Sequence, residues 1–215
     1  MIRLVCLLMG YAFGMIQTAY LLGKSRGIDI RHEGSGNAGS TNTLRVLGPK
    51  AAALVFICDV LKTMTACVIT WLVIVPRYPE LKFLLVLYTA AGTILGHNFP
   101  FYLHFKGGKG MASTAGLIFT FHWTFAPVGW IVFLTAYFTT HYVSLGSLLV
   151  YVFFVAQLII EGQLGMFHMA QPVLNEMYAV AIALATLTFY MHRSNISRLL
   201  HKTERKTYLT KKNSL

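Results

Sequence analysis

Apolar runs long enough to form helices recur from one end of this chain to the other. The 215 residues are 56% hydrophobic and only 12% charged. A soluble domain of this size cannot hide that much apolar surface from water, so the chain is expected to fold in a lipid bilayer. We therefore predict an all-α integral membrane protein.

Seven runs are predicted as transmembrane helices. They cover residues 2–22, 51–75, 83–95, 111–121, 128–139, 144–160 and 178–191. Residues 2–22 are predicted as a transmembrane helix rather than a cleaved secretory signal peptide, because no convincing small-residue cleavage site follows them. The fourth to sixth are shorter than the ~20 residues of an ordinary span. Such short broken helices are acceptable where their ends abut re-entrant loops buried by protein.

The net charge of +11 is concentrated at the ends of the apolar runs. This distribution fits membrane topology and an anionic substrate better than nucleic acid. The positive-inside tendency places residues 24–50, residues 96–110 and the C-terminal tail in the cytoplasm, and the acidic segment 161–176 outside. Seven crossings with the N-terminus outside and the C-terminus cytoplasmic satisfy this. Residues 1–191 are thus predicted to form a single polytopic membrane domain, followed by a basic cytoplasmic tail, 192–215, that begins with a candidate site motif.

Residues 96–110, GHNFPFYLHFKGGKG, form one of two glycine-rich loops predicted on the cytoplasmic side. Glycines beside lysines can cradle a phosphate, because backbone amides supply directed donors and lysine supplies charge. The loop is not a Walker A motif, since the glycine and hydroxyl positions of that motif are occupied by other residues. A flexible basic loop at the membrane surface is the other interpretation. The candidate binding residues here are His97, Lys106, Gly107, Gly108 and Lys109.

Residues 34–42, GSGNAGSTN, form the second glycine-rich loop. Its glycines let amides converge on an anion, and its hydroxyl and carboxamide groups add short donors. A solvated turn has the same composition, but two such loops on one membrane face favour a phosphate site. Arg45 follows on the same side and can grip a phosphate with two hydrogen bonds. The candidate binding residues here are Ser35, Gly36, Asn37, Thr41, Asn42 and Arg45.

Three further features bear on a site. Asp59 and Lys62 lie three residues apart within an apolar run, which indicates a structural ion pair first and substrate contact second. Ser144 opens a predicted helix and is either a site hydroxyl or an N-cap. His192 and Asn195 are expected to share one face of a helix that continues into the cytosol. Residues 205–212 are interpreted as a basic amphipathic tail on anionic lipid.

The motifs that are missing narrow the chemistry. The cytoplasmic loops hold no paired carboxylates for a divalent metal or for acid–base work. The H-x-x-x-x-D pattern of acyltransferases that use thioesters and the G-x-S-x-G pattern of α/β-hydrolases are both absent from the sequence. Two phosphate-binding loops and a His/Asn pair in a lipid environment suggest a reaction that joins a phosphorylated polar substrate to a lipid chain.

Four motifs of this chain resemble, in order and spacing, those of the bacterial acyl-phosphate:glycerol-3-phosphate acyltransferases, the PlsY family. They are GSGNAGSTN (34–42), GHNFPFYLHFKGGKG (96–110), YVSLGS (142–147) and HRSNISRLL (192–200). The resemblance implies a seven-helix enzyme of the bacterial cytoplasmic membrane with its active site facing the cytoplasm. It implies transfer of an acyl group from acyl phosphate to glycerol 3-phosphate, the first acylation of phospholipid synthesis, which gives lysophosphatidate and phosphate. It implies no metal and no other cofactor, and a possible partner in the enzyme that supplies the acyl phosphate.

By the same resemblance, the amides and hydroxyls of Ser35, Asn37, Thr41 and the 107–109 turn would hold the donor phosphate. Arg45 and Lys109 would hold glycerol 3-phosphate, with Ser144, His192 and Asn195 lining the same site. His192 either acts as a general base with a pKa near 7 or only orients the hydroxyl while the donor phosphate takes the proton.

Two positions depart from the family pattern. Thr63 and Lys202 stand where the family usually has glycine, so the local backbone geometry there is in question. A membrane carrier or channel for an organic phosphate remains the alternative function, because basic glycine loops at broken helices also suit a carrier.

Overall fold

The computed structural model describes residues 1–208, and over that range the chain is helical and contains no strand. The α-helices, numbered in chain order, are α1 (Ile2–Gly14), α2 (Thr18–Ser25), α3 (Ser40–Leu47), α4 (Pro49–Ile69), α5 (Lys82–Asn98), α6 (Met111–Phe121), α7 (Phe125–Thr140), α8 (Val143–Gln163), α9 (Gln171–Met191) and α10 (Arg193–Leu200). A π-helical segment, Thr70–Ile74, and short 3₁₀ segments extend or join them.

Five helical stretches are long and apolar enough to cross a membrane: Ile2–Ser25, Pro49–Arg77, Pro79–Leu103, Val143–Gln163 and Gln171–Met191. The apolar helices α6 and α7 are shorter. The predicted all-α class is confirmed in the described range, and the predicted short helices at 111–121 and 128–139 correspond to α6 and α7. The acidic segment 161–176, interpreted from the sequence as an outer loop, is only partly a loop, because α9 begins at Gln171 and carries the polar residues Asn175 and Glu176 in its first turns.

The predicted first helix is in fact broken between α1 and α2. Lys62 of α4 donates to the carbonyls of Gly14 (3.2 Å) and Ile16 (2.8 Å), and Gln17 Nε2 donates to the carbonyl of His97 (2.9 Å). The break is stable in an apolar interior because these side chains bind backbone groups that a helix would otherwise satisfy. The sequence prediction missed it because Lys62 is 46 residues away from Ile16 in the chain.

Helix α1 packs closely against α5 on the N-terminal side of this break. Gly10 and Gly14 face α5, and Gly92 and Gly96 face α1; a Cβ at any of these positions would collide with backbone of the other helix. This is the small-residue spacing that lets membrane helices approach closely. A similar contact joins α4 to α6, where a Cβ on Gly116 would lie 2.6 Å from the Val60 carbonyl.

The C-terminal part of the described chain reverses direction after α10. A Schellman turn ends α10: Thr203 N–H donates to the Arg198 carbonyl (2.8 Å) and Lys202 N–H donates to the Leu199 carbonyl (3.2 Å). Lys202 has the left-handed φ of +58° that a glycine would adopt without strain. The chain then runs back onto the protein, where Thr207 is 3% exposed. Arg205 and Lys206 are exposed, so the interpretation of residues 205–212 as a lipid-bound tail stays a prediction for them, and residues 209–212 lie outside the described residues.

Candidate active site

A polar cavity of about 510 Å³ gathers most of the residues singled out in the sequence. Its lining includes Ser35, Gly36, Asn37, Thr41, Asn42, Arg45, His97, Lys109, Ser144, His192 and Asn195. Lys106, Gly107 and Gly108 do not line it. Four sequence segments separated by up to about 150 residues thus meet at one place.

The first turns of four helices border this cavity. Ser40 and Thr41 begin α3, Met111 and Ala112 begin α6, Val143 and Ser144 begin α8, and Ser194 and Asn195 lie in the first turn of α10. No side chain caps any of these N-termini. Their backbone N–H groups and positive dipole ends therefore favour an anion in the cavity.

The glycine-rich loop 34–42 is held in shape by Asn42. The Asn42 carboxamide oxygen accepts from the backbone N–H (2.8 Å) and hydroxyl (3.0 Å) of Ser35, and its NH₂ donates to the carbonyls of Ile30 (3.1 Å) and Glu33 (3.0 Å). These four bonds saturate the carboxamide. The expectation that Asn42 and the Ser35 amide bind an anion is therefore wrong, and Asn42 instead positions the loop.

The loop 96–110 uses its glycines differently from the expectation. Gly107 and Gly108 donate their N–H groups to the carbonyls of Asn98 and His97, both at 3.1 Å, so these amides are not free for a phosphate and that prediction is wrong. A side chain on Gly108 would collide with the His97 ring. These contacts turn the chain back over the end of α5, which leaves Lys106 exposed and directs Lys109 to the cavity.

A buried ion pair supports the cavity floor. Lys62 Nζ lies 2.8 Å from Asp59 Oδ1, with both side chains almost fully buried, which confirms the predicted pair. Lys62 also donates to His97 Nδ1 (2.9 Å). The second nitrogen of a neutral His97 therefore carries its proton. Asp59 and His97 both reach the cavity lining.

A hydrogen-bond network at the opposite wall joins Lys109, Asn195 and Glu204. Lys109 Nζ donates to Asn195 Oδ1, and Asn195 Nδ2 donates to Glu204 Oε1 (2.6 Å). Glu204 also accepts from Ser144 Oγ (2.9 Å) and from Arg198 Nε (2.7 Å). Ser144 is thus bonded within the site, and it makes no side-chain cap for its helix.

The cavity is electropositive, and this affects its titratable groups. Burial lowers the pKa of Lys109 to about 8, and nearby Arg198 and Arg45 lower it while Glu204 raises it. Burial also lowers the pKa of the Arg45 guanidinium, whose Nε has no hydrogen-bond partner among residues 1–208. Burial acts to raise the pKa of Glu204, but hydrogen bonds from Asn195, Arg198 and Ser144 outweigh it, so that pKa is lowered.

His192 stands at the junction between α9 and α10 rather than inside one continuous helix, so the predicted continuation of the last helix is wrong. Its Nδ1 lies 2.9 Å from the Thr188 carbonyl and must donate to it, which leaves the Nε2 lone pair of a neutral ring as an acceptor. Burial and the charge of Lys109 lower the pKa of His192 to about 4. This is below the value near 7 expected for a general base, and it favours the neutral ring at physiological pH.

An apolar groove of about 430 Å³ adjoins the polar cavity. The groove lies between α4, α6 and α7. Its lining includes Phe56, Ala115, Phe133, Phe119 and Trp130. The groove and the cavity share the lining residues Ser40, Thr41, Met111, Ala112, Val143, Ser147 and Thr207. A polar molecule and an alkyl chain can therefore meet at this shared wall.

Cavity residues that were not predicted as site residues include Arg198, Glu204, Arg205 and Thr207. Glu204 looks like an ordinary member of a charged tail, and the Schellman turn at Lys202 brings it back to Arg198 and the cavity. The one available signal was that Glu204 is the single acid in a strongly basic segment.

Comparison with known proteins agrees with this architecture. A family model described as glycerol-3-phosphate acyltransferase matches residues 4–202. The chain is 36% identical over 213 residues to a glycerol-3-phosphate acyltransferase of Bacillus cytotoxicus, covering 98% of each chain. It is 38% identical over 208 residues to glycerol-3-phosphate acyltransferase 2 of Thermotoga maritima, covering 95% and 96%.

Among solved structures, the chain is similar to crystal structures of PlsY, an integral membrane glycerol 3-phosphate acyltransferase. The glycerol 3-phosphate form matches with a TM-score of 0.82, 30% identity and 96% coverage of each chain. The lysophosphatidic acid form matches with a TM-score of 0.79.

Proposed function

Because this chain belongs to the glycerol-3-phosphate acyltransferase family of integral membrane enzymes, we propose that it transfers an acyl group from a long-chain acyl phosphate to the sn-1 hydroxyl of glycerol 3-phosphate. The products are lysophosphatidate and inorganic phosphate. The observation that carries the proposal is the wall shared by an anion-favouring cavity and an apolar groove. It suits one polar and one lipid substrate that react where the two spaces meet.

The choice of donor follows from the character of the cavity. Four helix N-termini and the cations Arg45, Lys109 and Arg198 surround it, which suits two phosphate groups more than one. An acyl phosphate is already activated, so its phosphate leaves without a metal or a covalent enzyme intermediate. In this assignment the donor phosphate lies against the 34–42 loop and the start of α3, and its acyl chain follows the apolar groove.

The acceptor is assigned to the side of the cavity formed by Arg45, Lys109, Ser144, His192 and Asn195. Its hydroxyl attacks the donor carbonyl carbon and the new ester C–O bond forms. The bond between that carbon and the bridging phosphate oxygen breaks, and its electron pair leaves with the phosphate. The hydroxyl proton passes to Nε2 of neutral His192 or to the departing phosphate. The helix N-termini stabilise the charge that develops, without reorganisation at the moment of reaction.

For the membrane arrangement we retain seven crossings, which add α6 and α7 to the five long stretches, with the N-terminus outside. The cavity then opens to the cytoplasmic side of the bacterial cytoplasmic membrane. Lys24, Lys50, Lys106 and the basic residues after α9 support this orientation, because positive charge is retained on the cytoplasmic face.

The test uses purified protein in lipid or detergent with palmitoyl phosphate and glycerol 3-phosphate, with chelator present. Phosphate and lysophosphatidate are measured together, and palmitoyl-CoA replaces the acyl phosphate in a parallel reaction. Equal release of both products from acyl phosphate alone supports the proposal. Lys109→Ala should remove activity, whereas the matched control Lys106→Ala, an exposed lysine of the same loop, should keep it.

Two other results would contradict the proposal. Transfer from palmitoyl-CoA at the same rate would overturn the assignment of the donor. If folded protein gives no product from either donor, uptake of glycerol 3-phosphate into vesicles becomes the next measurement, since it tests the carrier alternative.

A further inference from the structure

Glu204 is an acid held deep in an otherwise basic site. Its side chain is 5% exposed, while the paired Arg198 side chain is 40% exposed. Arg45, Lys109, Arg198 and Arg205 line the same cavity. A carboxylate in this position competes with any anionic substrate for these cations, so its presence requires a reason beyond neutralising charge.

The reason lies in the orientation of Asn195. A carboxamide has one acceptor end and one donor end, and the two ends are similar in shape. Glu204 Oε1 accepts from Asn195 Nδ2 at 2.6 Å, which fixes the NH₂ group on that side. Asn195 Oδ1 then faces Lys109, whose Nζ donates to it. Lys109 and Glu204 therefore favour the same orientation of the amide from its two ends, because the ammonium can only donate and the carboxylate can only accept.

Glu204 sets the direction of Ser144 in the same way. Because Glu204 Oε1 is an acceptor at 2.9 Å, the Ser144 hydroxyl proton points to it. The lone pairs of Ser144 Oγ are then directed away from the carboxylate and can accept a hydrogen bond from another group in the cavity. One carboxylate oxygen therefore orients two side chains from α8 and α10.

The backbone around Glu204 is anchored on both sides. Before it, the Schellman turn at Lys202 ends α10. After it, Thr207 N–H donates to the His141 carbonyl (2.9 Å), and Tyr137 Oη donates to the Thr207 carbonyl (3.0 Å). The carboxylate is thus held by a strap, residues 201–208, that spans from α10 to the junction of α7 and α8.

We propose that Glu204 is a positioning residue for acyl transfer: it orients Asn195 against Lys109, and Ser144 against the acceptor substrate, from a strap that closes one side of the cavity. This inference rests on the proposed function. The alternative role is inhibitory: the Glu204 carboxylate would occupy the position of a substrate phosphate, and its removal would then accelerate turnover.

The test compares Glu204→Ala, Glu204→Gln, Asn195→Ala and the double variant Asn195→Ala/Glu204→Ala, with Glu80→Ala as the control at an exposed acid. Glu204→Ala should lower kcat on the order of 10–100-fold, the range for loss of a group that orients a reacting side chain. The KM for acyl phosphate should change less than twofold. Glu204→Gln keeps one carbonyl oxygen and should recover part of the loss.

The double variant separates positioning from simple structural support. If Glu204 acts through Asn195, removing it from Asn195→Ala should cost much less than removing it from the wild type. Losses that multiply would overturn the proposal, as would Glu204→Ala with wild-type or higher kcat/KM. Thermal unfolding of each variant is followed alongside. Should Glu204→Ala fail to fold, Glu204→Gln carries the same comparison, and unchanged kcat in a folded Glu204→Gln, alone and with Asn195→Ala, would overturn the proposal.

If wild-type protein lacks transferase activity, the proposed function fails rather than this inference. If wild-type protein is active and Glu204→Ala is equally active, the inference alone fails.

Discussion

The pH dependence of glycerol 3-phosphate use should report the protonation of Lys109. Burial lowers the pKa of this lysine to about 8, whereas an exposed lysine titrates near 10.4. Since the ammonium form binds phosphate, the charged fraction falls from about 0.9 at pH 7 to about 0.1 at pH 9. We expect kcat/KM for glycerol 3-phosphate to fall about tenfold over that interval, because this parameter reports ionisation in the free enzyme.

The assay must isolate this group from others that titrate. The phosphate of the acceptor has a second pKa of about 6 and is a dianion throughout. His192, with its pKa of about 4, is neutral over the whole interval. Spontaneous hydrolysis of acyl phosphate is subtracted by following lysophosphatidate rather than phosphate. Once the dianion is bound it stabilises the ammonium, so the fall in kcat should come at a higher pH than the fall in kcat/KM.

Lys109→Arg provides the decisive comparison. Arginine stays charged throughout this pH range, so its profile should be flat from pH 7 to 9 even though altered geometry lowers the overall rate. A wild-type profile that stays flat to pH 10 would refute the assignment of the low pKa. A tenfold fall that persists in Lys109→Arg would show that another group titrates.

Three further outcomes are expected. His192→Ala should lower kcat by about 10²–10⁴ if its ring accepts the proton; near-normal single-turnover rates would remove it from that role. Lys202→Gly should raise stability by about 1 kcal/mol, measured by thermal unfolding, because its φ of +58° is strained for lysine; an unchanged or lower melting temperature would contradict this. Gly129→Leu narrows the apolar groove and should shift preference to shorter acyl chains, with each displaced methylene worth about 0.8 kcal/mol of donor binding; an unaltered chain-length profile would argue against this groove.

The motif residues that face the cavity could be predicted from sequence because their chemistry is local. Glycines next to lysine or hydroxyl groups indicate an anion site wherever they occur, and the apolar runs between them determine that they lie in loops between helices. Lys109, Arg45 and Thr41 were found in this way. Asn42, Gly107 and Gly108 instead hold their loops in shape through internal hydrogen bonds. A sequence shows which groups can form hydrogen bonds, but not which partners already occupy them.

The sequence by itself determined a helical membrane protein with two glycine-rich loops, a buried Asp59–Lys62 pair and a His192/Asn195 motif. Hydrophobicity and charge act over neighbouring residues, so they can be read along the chain. Only the tertiary structure decided where helices break and which groups pair. Lys62 stabilises a break in a distant helix, and the turn at Lys202 brings Glu204 onto Asn195. These features depend on contacts between segments far apart in sequence, whose energy exists only after the helices have packed.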